Sequence, residues 1–366
     1  MKELFLLDPE VVFLNHGSFG ACPRPVFEAY QRYQLELERQ PVEFLGRRFP
    51  ELVDAARARL VAYLRADPDG LVFVPNATAG VNVVARSLPL RPGDEVLATD
   101  REYVAVDMVW RFVCERAGAR YVRTTPAQLW DAVTARTRVI AVSHMSSWTA
   151  EILPVEEICR RAREAGILTL VDGAHAPGQL PLDLDALGAD AYTGNCHKWL
   201  CAPKGAGFLL AAPGIRDLLE PLIVSWDWER ETAFAARNRW QGTLDPAAWL
   251  AVPDAIDFQD EHDWDAVRSR CHGLAARAQS AVAELAGIEP PAGPFAQMSS
   301  AQLPPCDAAE VQRRLLEEHR IEVICREWEG RPLIRVSFQG YNDEQDLDRL
   351  LEALPRALQL DALQAE

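Results

Sequence analysis

The chain has 366 residues, which is enough for two domains and a large hydrophobic core. Hydrophobic residues make up 49% and charged residues 25% of the sequence, an ordinary globular composition, and no run approaches the ~18 apolar residues of a membrane span. The formal net charge of −16 argues against a nucleic-acid or anionic-membrane partner, because the phosphates would repel the protein.

The eight cysteines are scattered and form no C-x-x-C pair. Free thiols in a reducing compartment therefore fit the sequence better than disulfides or a zinc site. The chain starts M-K-E-L-F-L-L-D-P-E, which lacks the long apolar segment and the small-residue cleavage site of a signal peptide. The sequence predicts a cytoplasmic protein.

The amino-terminal region contains a short apolar run that ends in N-H-G-S at residues 15–18. Gly20 and two prolines then mark a loop, which either places Asn15 and backbone amides near a ligand or forms a plain turn. Apolar residues at helical spacing predict helices over residues 25–40 and 51–64. We interpret their apolar faces as core or subunit contacts.

A strand is predicted over residues 71–75, followed by the turn N-A-T-A-G and a helix over residues 81–88. Free N–H groups at the start of a helix, together with the positive end of its dipole, bind phosphate readily, and Thr78 can add a hydroxyl. The alternative is an ordinary helix cap by Asn76 or Thr78.

Strands and helices alternate from about residue 71 to residue 211, which predicts an α/β domain with a mostly parallel sheet covered on both faces. Ligands gather at the carboxyl ends of the strands in such sheets. Five polar or aromatic side chains fall at predicted strand ends: Asn76, Tyr103, Ser147, Asp172 and Lys198. For Tyr103, plain packing is the alternative to a place against a flat ligand.

Two of these residues indicate a cofactor. Asp172 ends the apolar run 167–171, and Lys198 follows a histidine and precedes a tryptophan in a turn. Burial lowers the pKa of an ammonium group toward the neutral amine that forms a Schiff base, although most lysines are solvated surface residues. Pyridoxal phosphate requires an anion at its pyridinium nitrogen and a lysine on its aldehyde, so the pair predicts this cofactor.

The pattern changes after residue 211. A turn at 241–246 precedes a helix-like stretch over 247–285, and the remainder predicts strands over 296–303, 321–325 and 332–338 with helices over 308–318 and 343–358. The sequence therefore predicts a large α/β domain over residues 15–250 and a small α+β carboxyl-terminal domain over residues 251–366, joined by residues 1–14.

These motifs in order, N-H-G-S, N-A-T, E-Y, V-D-G-A-H, H-K-W, Q-G-T and R-V-S, resemble the class V aminotransferase family of fold-type I pyridoxal-phosphate (PLP) enzymes. The resemblance covers roughly residues 14–350 and is greatest to the isopenicillin N epimerase-like branch, which is related to cysteine desulfurases and carbon–sulfur lyases. It implies a mostly parallel, seven-stranded sheet in the large domain and PLP as the cofactor.

The resemblance also implies roles for individual residues. Lys198 forms the Schiff base with the cofactor, Asp172 pairs with the pyridine nitrogen, and His175 bonds the ring hydroxyl. The remaining cofactor contacts that it suggests are Ala77, Thr78, Asn195 and His197 at the phosphate, Tyr103 over the ring, and Ser147 at its strand exit.

Other residues are implied on the substrate side and at a subunit interface. Arg335 matches the arginine that grips the substrate α-carboxylate, as a bidentate guanidinium does, with Asn15 and His16 nearby. Gly242 and Thr243 match a turn that reaches the phosphate site of the neighbouring subunit, which implies a homodimer with a shared active site.

The reaction is left open by the residues. Cys325 ends a predicted strand rather than lying on a long mobile loop, which favours a structural thiol over a sulfur-transferring nucleophile. Elimination from a cysteine S-conjugate needs one base, Lys198, and is favoured over epimerisation, for which His16, His144 or Tyr103 must supply a second proton. Transamination comes third.

The sequence disfavours two further classes of protein. A non-catalytic binding module on the same fold is disfavoured because the lysine, aspartate, histidine and arginine are all present. A nicotinamide-dependent oxidoreductase is disfavoured because no G-x-G-x-x-G follows the first strand.

Overall fold

The computed structural model describes residues 1–359. Within them, one compact unit, the large unit, comprises Pro25–Ser146 and Leu153–Phe258. The other, the small unit, comprises Met1–Arg24, Ser147–Ile152 and the residues from Gln259 onward. The domain boundary predicted at residue 250 stays a prediction, and its far end at residue 366 lies outside the described residues.

The strands of the described chain are β1 (Val12–Phe13), β2 (Leu71–Val74), β3 (Glu95–Thr99), β4 (Arg120–Thr124), β5 (Thr137–Ser143), β6 (Leu168–Gly173), β7 (Ala191–Asn195), β8 (Gly207–Ala211), β9 (Met298–Gln302), β10 (Ile321–Glu322), β11 (Ile324–Trp328) and β12 (Arg331–Ser337).

The α-helices of the same part of the chain are α1 (His16–Phe19), α2 (Arg24–Arg39), α3 (Pro41–Glu43), α4 (Phe49–Leu64), α5 (Ala77–Ser87), α6 (Val104–Ala117), α7 (Val155–Glu164), α8 (Leu184–Leu187), α9 (Asp227–Arg230), α10 (Phe234–Arg237), α11 (Ala247–Leu250), α12 (Val252–Glu261), α13 (Trp264–Leu285), α14 (Ala308–His319) and α15 (Glu344–Ala357). Over residues 1–359, no helix combines the length and the apolar character that crossing a bilayer requires.

The large unit is built on a seven-stranded sheet with the order β2-β8-β7-β6-β5-β3-β4. Strand β8 is antiparallel to both of its neighbours, and the other pairings are parallel. The central strands β5, β7 and β8 are buried at every residue except Arg138 of β5, as expected for a sheet covered on both faces. This confirms the predicted α/β class and the mostly parallel, seven-stranded sheet.

The small unit contains an antiparallel sheet with the order β11-β12-β9 and the short parallel pair β1-β10. Helices α13 and α14 pack on the antiparallel sheet, and α15 packs on both helices. The predicted α+β class of this part of the chain is confirmed.

Two predicted helices differ from the observed ones because of capping side chains. Helix α5 begins at Ala77, four residues earlier than predicted, since the Asn76 side chain caps it by accepting the Ala79 N–H at 2.9 Å. The predicted continuous helix over 247–285 is three helices. Asp263, with a positive φ of 45°, ends the run and caps α13 through the Ala266 N–H.

The predicted strand over residues 321–325 is also different. It is interrupted after Glu322, and β11 then continues to Trp328 as one arm of a hairpin with β12. Glu329 and Gly330, at the tip, both have positive φ, 50° and 73°, which suits a two-residue hairpin turn. Cys325 therefore lies inside a strand rather than at its end.

Candidate active site

The predicted catalytic residues of the large unit lie where β6 and β7 end side by side in the sheet. Asp172 is in β6, next to Thr193 of β7, and His175 follows in the turn after β6. Lys198 lies in the turn after β7, where it is half-buried. Its Nζ atom is 3.2 Å from Nε2 of His175, so the fold brings the lysine and the histidine into direct contact.

Asp172 is a buried carboxylate with spare hydrogen-bonding capacity. Its side chain is 6% exposed, and its Oδ1 accepts the Ala174 N–H at 2.9 Å. Among the described residues, Oδ2 has no hydrogen-bond donor. Burial raises the pKa of Asp172, and the charge of Lys198 opposes that shift. A buried acid with an open oxygen suits a cationic N–H donor.

The predicted phosphate site lies at the start of α5. Asn195, at the end of β7, accepts the Ala77 N–H at 2.8 Å through Oδ1, while Asn76 accepts the Ala79 N–H. The N–H and hydroxyl of Thr78 thus remain for an anion, as does the Asn195 amide group, which is a donor. Phosphate binding by these residues, including Ala77, stays a prediction.

His197 is neutral in this arrangement. Its Nδ1 lies 3.0 Å from the Ala206 carbonyl oxygen, which can only accept, so Nδ1 carries the proton. Burial lowers the pKa of His197 to about 4. Its Nε2 is therefore an acceptor, and contact with a phosphate oxygen requires a second proton on the ring. The phosphate role of His197 also stays a prediction.

Two further predicted cofactor contacts of the large unit lie at its surface. Tyr103 immediately precedes α6 and is 45% exposed. Thr243 is exposed in the segment between α10 and α11, beside Gly242, whose φ is 85°. Exposure is compatible with a contact to a ligand or a second subunit, and both roles stay predictions.

Glu102 is a buried acid that the sequence did not single out. It is 1% exposed, and its two oxygens accept from Thr99 Oγ1 at 2.6 Å and from Ser143 Oγ at 2.7 Å. Burial raises the pKa of Glu102 to about 7, and the negative charge of Asp172 adds to the shift. Glu102 thereby ties the end of β3, just before Tyr103, to the end of β5.

This raised pKa makes a prediction about stability. The folded-state pKa of Glu102 exceeds the ordinary 4.5. Its contribution to the free energy of unfolding is therefore fully present below pH 4.5 and is lost as pH rises toward about 7. Glu102→Gln imitates the protonated acid and should flatten this dependence by on the order of 3 kcal/mol. Urea unfolding of both cofactor-free proteins at pH 5 and pH 8 measures it. An unchanged pH dependence in the variant would show that Glu102 does not titrate there.

The predicted substrate-side residues lie in the small unit. Arg335, in β12, is 5% exposed. Its Nη1 donates to the Ser147 carbonyl at 2.6 Å and to the Ser147 hydroxyl at 3.2 Å, and its Nη2 donates to Ser18 Oγ at 3.0 Å. Asn15 Oδ1 accepts from Nη2 at 3.4 Å and from the Ser18 hydroxyl at 2.7 Å. We call these four residues the arginine cluster.

Ser147, Ser18 and Asn15 offer neutral oxygen atoms to the buried Arg335 guanidinium, which is a group that binds carboxylates well. Ser147, predicted as a cofactor contact, belongs to this cluster in the structure, and its cofactor role stays a prediction. Ser18 was missed, although its hydroxyl stands in the N-H-G-S motif. Glu322 was missed as well, and it orients Asn15 by accepting from Nδ2 at 2.9 Å.

Two histidines considered as proton donors are held by structural contacts. His16 is fully buried, with Nδ1 3.0 Å from the Tyr341 hydroxyl and Nε2 3.3 Å from Gln339 Nε2. His144 has Nδ1 2.9 Å from the Tyr192 hydroxyl, and burial lowers its pKa to about 4. Its ring is therefore neutral near pH 7. A substrate contact by His16 stays a prediction.

Comparison with solved structures shows the fold. A C-DES variant with glycine covalently linked to its PLP cofactor superposes with a TM-score of 0.85, at 22% identity, over 94% of this chain and 96% of that one. The chain therefore shares the fold of this protein.

Comparison of sequences shows the family. The family model described as aminotransferase class-V matches residues 12–350, and the chain belongs to this family of PLP-dependent enzymes. Isopenicillin N epimerase of Streptomyces clavuligerus is 40% identical to it, over 95% of both chains. A probable chloroplastic L-cysteine desulfhydrase of Arabidopsis thaliana is 26% identical, over 95% of this chain and 83% of the relative.

The residues of the site fit PLP. The open oxygen of buried Asp172 matches a pyridinium N–H, the Lys198 amine matches an aldehyde, and the start of α5 offers Thr78 to a phosphate. When bound, the cofactor withdraws electrons from the substrate Cα, which makes its proton removable.

Proposed function

We propose that the protein inverts the configuration at Cα of an amino-acid substrate, as a PLP-dependent epimerase. The observation that carries this proposal is the 40% identity to isopenicillin N epimerase, over 95% of the chain. The residues alone favour elimination. The L-cysteine desulfhydrase of Arabidopsis thaliana, whose name indicates carbon–sulfur chemistry, is 26% identical to this chain and is therefore a more distant relative than the epimerase. Isopenicillin N is accordingly the first substrate to test.

In this proposal the large unit holds the cofactor and moves the Cα proton. Asp172 would accept the pyridinium N–H, and Thr78 and Asn195 would hold the phosphate. The Lys198 amine, in contact with His175 Nε2, would act as the general base for the Cα proton. Inversion needs a second acid. Of the three candidates, Tyr103 is the exposed residue, whereas His16 and His144 are buried and held in structural contacts.

The arginine cluster of the small unit takes the substrate carboxylate. Arg335 offers a planar pair of N–H groups, and Ser18 and Asn15 fix its orientation through the contacts given above. A homodimer is part of the same proposal, because Thr243 is exposed on a turn that the family resemblance assigns to the phosphate site of the neighbouring subunit.

Carbon–sulfur β-elimination is the second candidate, supported by the desulfhydrase relative. Sulfur transfer through Cys325 is disfavoured. Its thiol is 2% exposed inside β11, and burial raises its pKa, so the reactive thiolate is scarce. Elimination from a cysteine S-conjugate would therefore release the thiol without an enzyme persulfide.

The test separates the two reactions and the role of Tyr103. Isopenicillin N, a panel of L-amino acids and a cysteine S-conjugate are incubated with the enzyme in heavy water. We expect deuterium at Cα together with the opposite configuration, and no pyruvate. Tyr103→Phe keeps an aromatic ring but lacks the hydroxyl, so it should keep Cα exchange and lose inversion by about 10²-fold or more.

Other outcomes decide against the proposal. Pyruvate and free thiol from the S-conjugate, with no inversion of any substrate, would make the protein a lyase. Full inversion by Tyr103→Phe would remove Tyr103 from the reaction and leave the epimerase in place.

A further inference from the structure

The ring of His175 is contacted at both nitrogens by residues of the turn after β7. The Trp199 indole Nε1 donates to Nδ1 at 3.2 Å, and Nε2 lies 3.2 Å from Lys198 Nζ. Trp199 is fully buried and His175 is 3% exposed. Two neighbouring residues of one turn thus contact the two nitrogen atoms of one imidazole ring.

This arrangement determines where the imidazole proton lies. An indole nitrogen can only donate, so Nδ1 of His175 must present its lone pair. A neutral imidazole carries one proton, which is therefore on Nε2. The N–H bond at Nε2 faces the Lys198 amine.

The same logic extends to Lys198. An ammonium group has three donors and no acceptor, so it would oppose the Nε2–H of His175 donor to donor. A neutral amine has a lone pair that accepts this N–H. The contact at 3.2 Å therefore favours the unprotonated amine, which is the form that reacts with an aldehyde or accepts a Cα proton.

The backbone is built to hold the two turns together. Gly178, with a φ of 87°, lies against the Trp199 backbone so closely that a Cβ would overlap its carbonyl group. Within the lysine turn, the Cys201 N–H donates to the Lys198 carbonyl at 3.0 Å and the Ala202 N–H to the Cys196 carbonyl at 3.0 Å. The position of the indole N–H is thus determined by the turn as well as by side-chain packing.

We propose that Trp199 is a positioning residue that holds His175 in its Nε2–H tautomer and, through it, keeps the Lys198 amine unprotonated. This inference rests on the proposed function of Lys198 and adds a residue to that site. In the cofactor-bound protein the same Nε2–H would be the donor for the ring hydroxyl that the family resemblance assigns to His175.

Other titratable groups surround Lys198 and enter any pH profile. Asp172 lies at the end of β6, and protonation of Lys198 would lower the pKa of this carboxyl, which burial raises. His197 and Lys204 come from the lysine's own turn and the residues after it. Burial lowers the pKa of His197, and protonation of Lys198 would lower it further. A change at Trp199 leaves these three groups in place.

The test compares Trp199→Phe with Trp110→Phe. Phenylalanine keeps an aromatic ring but lacks the N–H. Trp110 is the matched control because it is also fully buried, while its Nε1 has no hydrogen-bond partner among the described residues. Ring ¹⁵N shifts of cofactor-free protein, assigned with His175→Gln, should show the Nε2–H tautomer of His175 in wild type and Trp110→Phe, and a mixture in Trp199→Phe.

The holoenzyme provides a second readout. We expect the pH at which its visible band titrates to move by about one unit in Trp199→Phe, with kcat/KM about 5- to 10-fold lower, as for the loss of one hydrogen bond. In the His175→Gln background the Trp199→Phe change should have little further effect. Fully additive effects would mean that Trp199 only packs, and would overturn the inference.

The outcomes separate a failure of the proposed function from a failure of the inference about Trp199. If the protein never forms a coloured complex with PLP, the proposed function fails, while the tautomer of the cofactor-free protein is still measurable. If wild-type His175 carries its proton on Nδ1, the inference fails even with full activity. That measurement does not require Trp199→Phe, so it tests the inference even if this variant does not fold.

Discussion

Lys198→Ala should leave a folded protein that lacks the visible band of the Schiff base and turns over substrate about 10³-fold more slowly or worse. The physical reason is that one amine both bonds the cofactor and removes the Cα proton, and a general base alone contributes 10²- to 10⁴-fold. Absorbance of the purified protein with added PLP, followed by the heavy-water exchange assay, measures both effects.

The composition of the chain makes this test unusually clear. The sequence contains three lysines, Lys2, Lys198 and Lys204, and the first and last are exposed. Borohydride reduction followed by mass spectrometry should place the cofactor on the peptide that contains Lys198. Lys204→Ala, which removes an exposed lysine six residues after Lys198, is the control and should keep the band. Label on Lys2 or Lys204 instead would contradict the assignment.

Much of the fold could be predicted because its signals are local. The apolar runs of β5, β6 and β8 and the amphipathic spacing of α6 and α7 are readable from neighbouring residues. The breaks were harder to predict. The positive φ of Asp263 and the hairpin turn at Glu329 depend on how the following segments pack, and no periodicity in the sequence reports that.

The candidate site shows the same division. Asp172 and Lys198 could be identified because a carboxylate that ends an apolar strand and a lysine in the turn after the next strand have a chemical reason to be there. Glu102 and Trp199 could not, because their roles depend on which atoms they meet. Glu102 meets Ser143, 41 residues away, and Trp199 meets the ring of His175, 24 residues away. The hydrogen bonds from Arg335 to Ser147 could not be predicted either, and the predicted cofactor contact of Ser147 stays a prediction.

Asp172→Asn should have opposite effects on the cofactor-free and the cofactor-bound protein. In the cofactor-free protein a buried carboxylate is costly, as its raised pKa indicates, and a neutral amide of the same shape still accepts the Ala174 N–H. We therefore expect the free energy of unfolding to rise by about 1–3 kcal/mol. Urea unfolding of the cofactor-free variant and wild type measures this.

The loss of PLP binding free energy in Asp172→Asn should be larger than the gain in the free energy of unfolding of the cofactor-free protein. Removing one partner of a buried charge pair costs about 3–5 kcal/mol, which corresponds to a loss of 10²- to 10³-fold or more in PLP affinity, and Cα exchange should fall at least as much. Asp190→Asn is the control. Asp190 accepts the Thr169 N–H and hydroxyl at the opposite ends of β6 and β7, so its replacement should lower stability and leave PLP affinity unchanged.

The assignment of Asp172 is tested by whether the free energy of unfolding of cofactor-free Asp172→Asn rises or falls. A residue kept for structure makes the protein less stable when it is replaced, as expected for Asp190. A residue kept for a cationic ligand costs stability until that ligand arrives. If cofactor-free Asp172→Asn is less stable than wild type, Asp172 supports the fold, and the pairing with the pyridinium nitrogen loses its physical argument. A more stable protein that binds PLP poorly is the combination that only the cofactor role predicts.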